Sequence, residues 1–218
     1  MASSKIGEQF IVSSDDVVNP TNATTRYVDN SESDIVYQIS MSKSTKKGDD
    51  VVTIGVHELV LNEKCPVFDD DNCEKVFVSV EFLDYPAEYL ETPYALVKGE
   101  PNTKYSFDFQ TECSVRDQPK KQQLAELVEP RSSGEIKFVV VAEPPEDQPS
   151  LDCVDIGVAT VNAKQLLHNQ TDHINKSIDV YGMDDQKKVV GQMNVTVSIV
   201  QALNKVTRQG QNVRRIQS

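Results

Sequence analysis

Between Val189 and Leu203 the side chains alternate, with Met193, Val195, Val197 and Ile199 on one face of an extended chain and Gln192, Asn194, Thr196 and Ser198 on the other. Successive side chains of a strand point to opposite faces, so this pattern buries one face and wets the other only as a β-strand. Tyr105, Phe107, Phe109 and Cys113 alternate in the same way against Ser106, Asp108, Gln110 and Glu112, and so do Ile136, Phe138 and Val140. Further segments of this kind run from Val51 to Leu61, Lys75 to Leu83, Thr92 to Lys98, Cys153 to Val161 and Ile174 to Tyr181. Each is bounded by Asp, Asn, Pro or Gly, the residues that end strands in turns. Eight such segments in one chain predict an all-β, eight-stranded antiparallel sandwich.

Two stretches leave this rhythm. Gln118 to Glu129 carries Leu124, Leu127 and Val128 at helical spacing, and Pro130 prevents continuation because it lacks an amide hydrogen. Asn162 reads as the N-cap of a second helical turn containing Ala163, Leu166 and Leu167. The fold therefore carries one or two short helices in its loops.

The sandwich is expected over residues 50–204. Residues 1–49 mix Ser, Thr, Asn and Asp with short apolar snippets such as Phe10-Ile11-Val12, and read as mostly disordered. Residues 205–218 hold Lys205, Arg208, Arg214 and Arg215 with no acid, and read as a solvated basic tail. An apolar fraction of 38% fits an ordinary core diluted by such polar ends.

Charge narrows the partners. The 34 acidic and 22 basic residues leave a formal −12, a field that repels nucleic acid and anionic headgroups alike. No run approaches the ~20 apolar residues that a membrane helix needs, so no stable insertion is expected. Without the pattern of a secretory signal the chain reads as cytoplasmic. Its four cysteines, Cys65, Cys73, Cys113 and Cys153, are then expected reduced, and its Asn-x-Ser/Thr matches, such as Asn194-Val195-Thr196, are chance.

Motifs for catalysis are lacking. His57, His168 and His173 are the only histidines, and none has metal-site or triad spacing. Cys65 and Cys73 lack the Cys-x-x-Cys spacing of a zinc site, and no glycine-rich phosphate loop occurs, so neither an enzyme nor a cofactor is expected. The acidic loops are the sharper question. Asp69, Asp70 and Asp71 follow the first strand, and Asp147 lies in a later loop with Glu143, Glu146 and Asp152. Carboxylates on adjacent loops are what calcium requires, which makes a calcium-dependent membrane-binding domain the alternative reading. Neither loop has the Asp-x-Asp spacing that aims alternate carboxylates inward.

The segment Ile136-Lys137-Phe138-Val139-Val140-Val141-Ala142-Glu143-Pro144-Pro145-Glu146-Asp147, followed by Leu151-Asp152-Cys153-Val154-Asp155-Ile156-Gly157-Val158-Ala159, resembles the C-terminal domain of the retinitis pigmentosa GTPase regulator-interacting protein family. Phe77-Val78-Ser79-Val80-Glu81-Phe82 with Glu91-Thr92-Pro93, then Ile178-Asp179-Val180, then Gly191-Gln192-Met193-Asn194-Val195-Thr196-Val197 are similar to it in the same order. The resemblance implies a type II C2 fold with no dependence on calcium. It also implies a scaffold at the ciliary transition zone or basal body that binds the propeller domain of the regulator. Family members are long proteins with coiled coils and a further C2 domain. On this reading the contact surface is the acidic, proline-stiffened turn formed by Glu143, Pro144, Pro145, Glu146 and Asp147, because a rigid exposed loop binds at low ordering cost.

Overall fold

The computed structural model describes residues 50–148 and 150–216, with side chains to Arg208. The expected disorder of residues 1–49 falls outside the described residues, as do Pro149 and the last two residues. Eight strands form: β1 (Val51–Leu61), β2 (Lys75–Glu81), β3 (Leu96–Val97), β4 (Lys104–Ser114), β5 (Glu135–Glu143), β6 (Val154–Asn162), β7 (His173–Gly182) and β8 (Val189–Ser198). Helices are α1 (Ala87–Leu90), α2 (Gln118–Leu127), α3 (Ala163–Asn169) and α4 (Val200–Ile216), with a 3-10 turn at Pro66–Asp69.

Every pairing is antiparallel, in the order β3-β2-β5-β6-β7-β8-β1-β4. Between β6 and β7 only Gly157 with Gly182 and Val158 with Tyr181 are in register, so the order folds at this seam into two four-stranded layers. A Cβ on Gly157 would lie 2.8 Å from Val180 Cγ1, and the missing side chain is what lets the seam close. At the opposite side Tyr94 donates its hydroxyl to the Phe107 carbonyl of edge strand β4 at 3.3 Å. Val76, Val78, Phe138 and Val140 from one layer and Ile54, Val56, Met193 and Val195 from the other share a single buried cluster. The chain is thus an all-β antiparallel sandwich of two four-stranded layers.

Three sequence expectations need correction. The last strand stops at Ser198 and does not run to Leu203, because Val200, Leu203 and Val206 switch to helical spacing and bury one face of α4. Asp172 starts that helix: its Oδ1 accepts from the amides of Ile199 at 2.8 Å and Val200 at 2.9 Å. Described residues of the supposed basic tail consequently continue a 17-residue helix, across the expected domain boundary at residue 204, and the helices are more than one or two short ones in loops. The strand expected over Thr92 to Lys98 is reduced to Leu96–Val97, preceded by a single bridge between Ser79 and Glu91. Pro93, which has no amide hydrogen, interrupts the ladder. The α2 and α3 readings hold, with Asp117 accepting from the Lys120 amide and Asn162 from the Gln165 amide.

Candidate interaction surface

Since each strand runs opposite to its neighbours, connections that leave odd-numbered strands gather at one end and those that leave even-numbered strands at the other. The first end receives Asp69, Asp70 and Asp71, then Glu100, then Glu146, Asp147 and Asp152, then Asp184 and Asp185, against Lys64, Lys98, Lys187 and Lys188. The second end receives all four helices, with Arg116, Lys120, Lys121, Arg131, Lys164, Lys205 and Arg208. The second end also carries Asp84, Glu88, Glu91, Asp117, Glu126, Glu129 and Asp172, so its charges roughly cancel and the acidic excess lies at the first end.

At the acidic end the β5–β6 turn is fastened to β2. Glu74 donates its amide to the Glu143 carbonyl at 2.9 Å, and Lys75 lies opposite Glu143 in register. Lys75 Nζ then meets Glu146 Oε1 at 2.7 Å. That bond holds the lysine above, and the glutamate below, its ordinary pKa. The turn closes on itself through the Gln148 amide, which donates to the Pro145 carbonyl at 3.0 Å. Glu143, Pro144, Pro145, Glu146 and Asp147 thus stand together on a stiff, tethered turn. Beside it the thiol of exposed Cys153 is pushed up in pKa, first by partial burial and then by the carboxylates of Glu143, Asp152 and Glu91.

The aspartates proposed for calcium are arranged differently. The Asp69-to-Asp71 turn is held from beneath by Lys98, whose ammonium donates to the carbonyls of Val67 at 3.3 Å and Asp70 at 2.7 Å. Asp70 Oδ1 accepts from the Asn72 amide. Among the described residues no group of three or more His, Cys, Asp and Glu side chains is placed to hold a metal ion, so Asp69, Asp70, Asp71 and Asp147 are not assembled as a ligand set. A cation is nevertheless present on the Asp70 carbonyl, in the form of the chain's own lysine.

His57 and His173 are structural in their surroundings, and His168 is exposed. His57 sits at a register shift in β1, with Nε2 2.8 Å from Thr196 Oγ1, which also accepts from the Asn175 amide at 3.0 Å. Burial lowers the pKa of His173. Cys65, Cys73 and Cys113 are buried thiols, Cys113 pushed up to about 12 and Cys73 to about 11 by desolvation. Among the described residues no helix is long and apolar enough to cross a membrane.

What remains is an antiparallel β-sandwich with a stiff acidic end, the build of an interaction domain. The sequence model described as retinitis pigmentosa G-protein regulator interacting C-terminal matches residues 48–209, and the chain belongs to this family. X-linked retinitis pigmentosa GTPase regulator-interacting protein 1 of Bos taurus is 25% identical over 183 residues, covering 82% of this chain and 15% of that protein. Its Homo sapiens counterpart is 24% identical over 184 residues, covering 82% and 14%. The chain therefore spans a small fraction of the length of these relatives. Among solved structures, a CC2D1B chain matches with a TM-score of 0.49 at 17% identity, covering 77% of this chain and 62% of that one. The C2A domain of plant Extended Synaptotagmin 1 matches at 0.43 and 15%, covering 70% and 95%.

Proposed function

We propose that this chain is a non-enzymatic protein-interaction module that docks by its acidic end onto the propeller domain of the retinitis pigmentosa GTPase regulator, as part of a scaffold at the ciliary transition zone. The observation that carries the reading is the Glu143–Asp147 turn, held to β2 by the Lys75–Glu146 pair and stiffened by Pro144 and Pro145. A turn ordered before binding loses little conformational entropy on docking, and its exposed carboxylates speed encounter with a basic surface. Family membership supports the same direction, since the bovine and human relatives are named for interaction with that regulator. Cellular placement at the cilium follows from the partner.

The test is calorimetric titration of the full chain with the propeller domain, with and without calcium. Binding at about micromolar Kd or tighter is expected. Glu146→Lys with Asp147→Lys should weaken it about tenfold, with calcium making no difference. Absence of propeller binding overturns the reading, and heat from calcium alone returns weight to a membrane-binding domain centred on Asp69 to Asp71.

A further inference from the structure

In β5 the core takes Ile136, Phe138, Val140 and Ala142, which leaves Val139 and Val141 on the outward face of the layer. Outward valines ordinarily meet water, yet these are only 8% and 6% exposed and lie outside the core cluster. They form the floor of a trough on the solvent side. In register, Phe77 of β2, Val141 and Asp155 of β6 make one cross-strand row, and Ser79 and Val139 make the next. Glu81 and Glu91 complete the walls of a hollow of about 230 Å³.

The hollow continues towards the acidic end. Asp155 also lines a second hollow of about 170 Å³ with Pro66, Val154, Met183, Asp70 and Asp184. Val154 and Met183 are 55% and 43% exposed, two of the larger apolar surfaces of the domain. Val154 pairs with Ala142 and so faces the core side, which puts this second hollow at the acidic end of the sandwich, bordering the trough only at Asp155. Of the rim carboxylates, Glu81 is paired with Lys137 at 3.0 Å and Glu91 accepts from the Ser79 hydroxyl at 3.4 Å, whereas the Asp155 carboxylate has no cation beside it among the described residues. An apolar floor with unneutralised carboxylates on its rim complements an apolar segment that carries cations.

We infer that the outer face of the β2-β5-β6 layer is a docking trough for a basic segment of a partner protein, in which apolar side chains cover Phe77, Val139 and Val141 while Arg or Lys side chains meet Glu91 and Asp155. This rests on the reading of the domain as a protein-binding module, and adds a second surface to the Glu143–Asp147 turn. Arginine suits the site best, because its planar fork engages a carboxylate through two hydrogen bonds while its stem packs on apolar surface.

The probe is a synthetic peptide of alternating arginine and valine, titrated into the isotopically labelled full chain and followed by amide NMR, with the glutamate–valine peptide as control. The expected shifts are at Phe77, Val139, Val141 and Asp155, from the cationic peptide only. Asp155→Lys with Glu91→Lys should weaken binding about tenfold or more, and the shape-preserving pair Asp155→Asn with Glu91→Gln should weaken it less, which guards against a folding defect. The charge-matched pair Glu126→Lys with Glu129→Lys, at the helical end, should change affinity less than about twofold. Shifts confined to Asp69–Asp71, or equal losses from both lysine pairs, overturn the trough in favour of general electrostatic attraction. Trough shifts on concentrating the protein without peptide overturn it in favour of a second copy of the chain. The two readings fail separately. Trough shifts without propeller binding remove the named partner alone. Propeller binding indifferent to Asp155→Lys with Glu91→Lys, together with a trough unmoved by the peptide, removes the trough alone.

Discussion

Lys205 of α4 lies 2.8 Å from Asp50, the residue before β1, across 155 positions of sequence. This pair joins the first described residue to the last helix, at the end where β1 and β8 meet. Both side chains are about one-third exposed or less, so solvent screens the pair and its contribution is modest.

Lys205→Met or Asp50→Asn should each cost about 0.2–1 kcal/mol in urea unfolding, and the double variant should cost less than the sum. The Lys205 hydrogen bond holds the Asp50 carboxyl below its ordinary pKa. A depressed carboxylate stabilises the fold at pH above its unfolded value and loses that contribution as pH falls through the folded value. The difference between wild type and Asp50→Asn should therefore be full at pH 7 and shrink as pH falls below the ordinary carboxylate range.

Asp172 contributes more, because it satisfies two helix-terminal amides and accepts from the Ser198 hydroxyl at 2.8 Å. Asp172→Ala should lower stability by about 1–2 kcal/mol, with Asp172→Asn retaining most of it. Equal loss in both variants would show that the charge, and not the cap geometry, matters. Denaturant midpoints measure this.

His173 has its pKa lowered by burial, and its Nδ1 finds no protein partner. Its unfolded state binds a proton at higher pH than its folded state does, so stability falls as pH drops below about 6.5. Thermal unfolding between pH 7.5 and 5 should show this slope in wild type and less of it in His173→Gln. An unchanged slope in the variant assigns the effect elsewhere.

Gly191 of β8 lies against β1 so closely that an added Cβ would overlap the Val60 carbonyl oxygen and press on Leu61 at 3.0 Å. Backbone cannot yield as a side chain can, so Gly191→Ala should cost about 2 kcal/mol or more. At Gly182 the nearest atom is a valine methyl at 3.3 Å, and Gly182→Ala should cost less. Comparison of the two Tm values tests the distinction.

Thiol labelling at pH 8 should find one reactive cysteine, Cys153, in the native protein and four in denaturant. Desolvation keeps Cys113 and Cys73 protonated at that pH. Early reaction of a second thiol would reveal local opening of the layer that contains it.

Local pattern made much of this fold legible. The alternation of Lys104–Ser114 and the cap at Asn162 are written in contiguous residues, and the structure follows them. Non-local features were hidden. The Asp172 cap lies 28 residues before Val200, so the change from period two to helical spacing after Ser198 had no visible start signal. Lys98 reaches the Asp69–Asp71 turn from the far side of β2, and spacing within the turn could not reveal it. The trough was illegible for another reason: the run Phe138-Val139-Val140-Val141 is apolar on both faces, and only the register with Phe77 and Asp155 distinguishes floor from core.

The placement of Asp50 and Ile199 at the helical pole has a mechanical consequence. β1 and β8 are adjacent and antiparallel, with Thr53 opposite Ser198 nearest the ends and Leu61 opposite Gly191 farthest from them. Tension applied through residues 50 and 199 therefore loads these hydrogen bonds one after another, as in opening a zip, and not all together in shear. Strand pairs loaded in this way part at low force, so the domain's resistance to pulling is set by the fastenings at the fork, the Lys205–Asp50 pair and the Asp172 cap, more than by the length of the sheet.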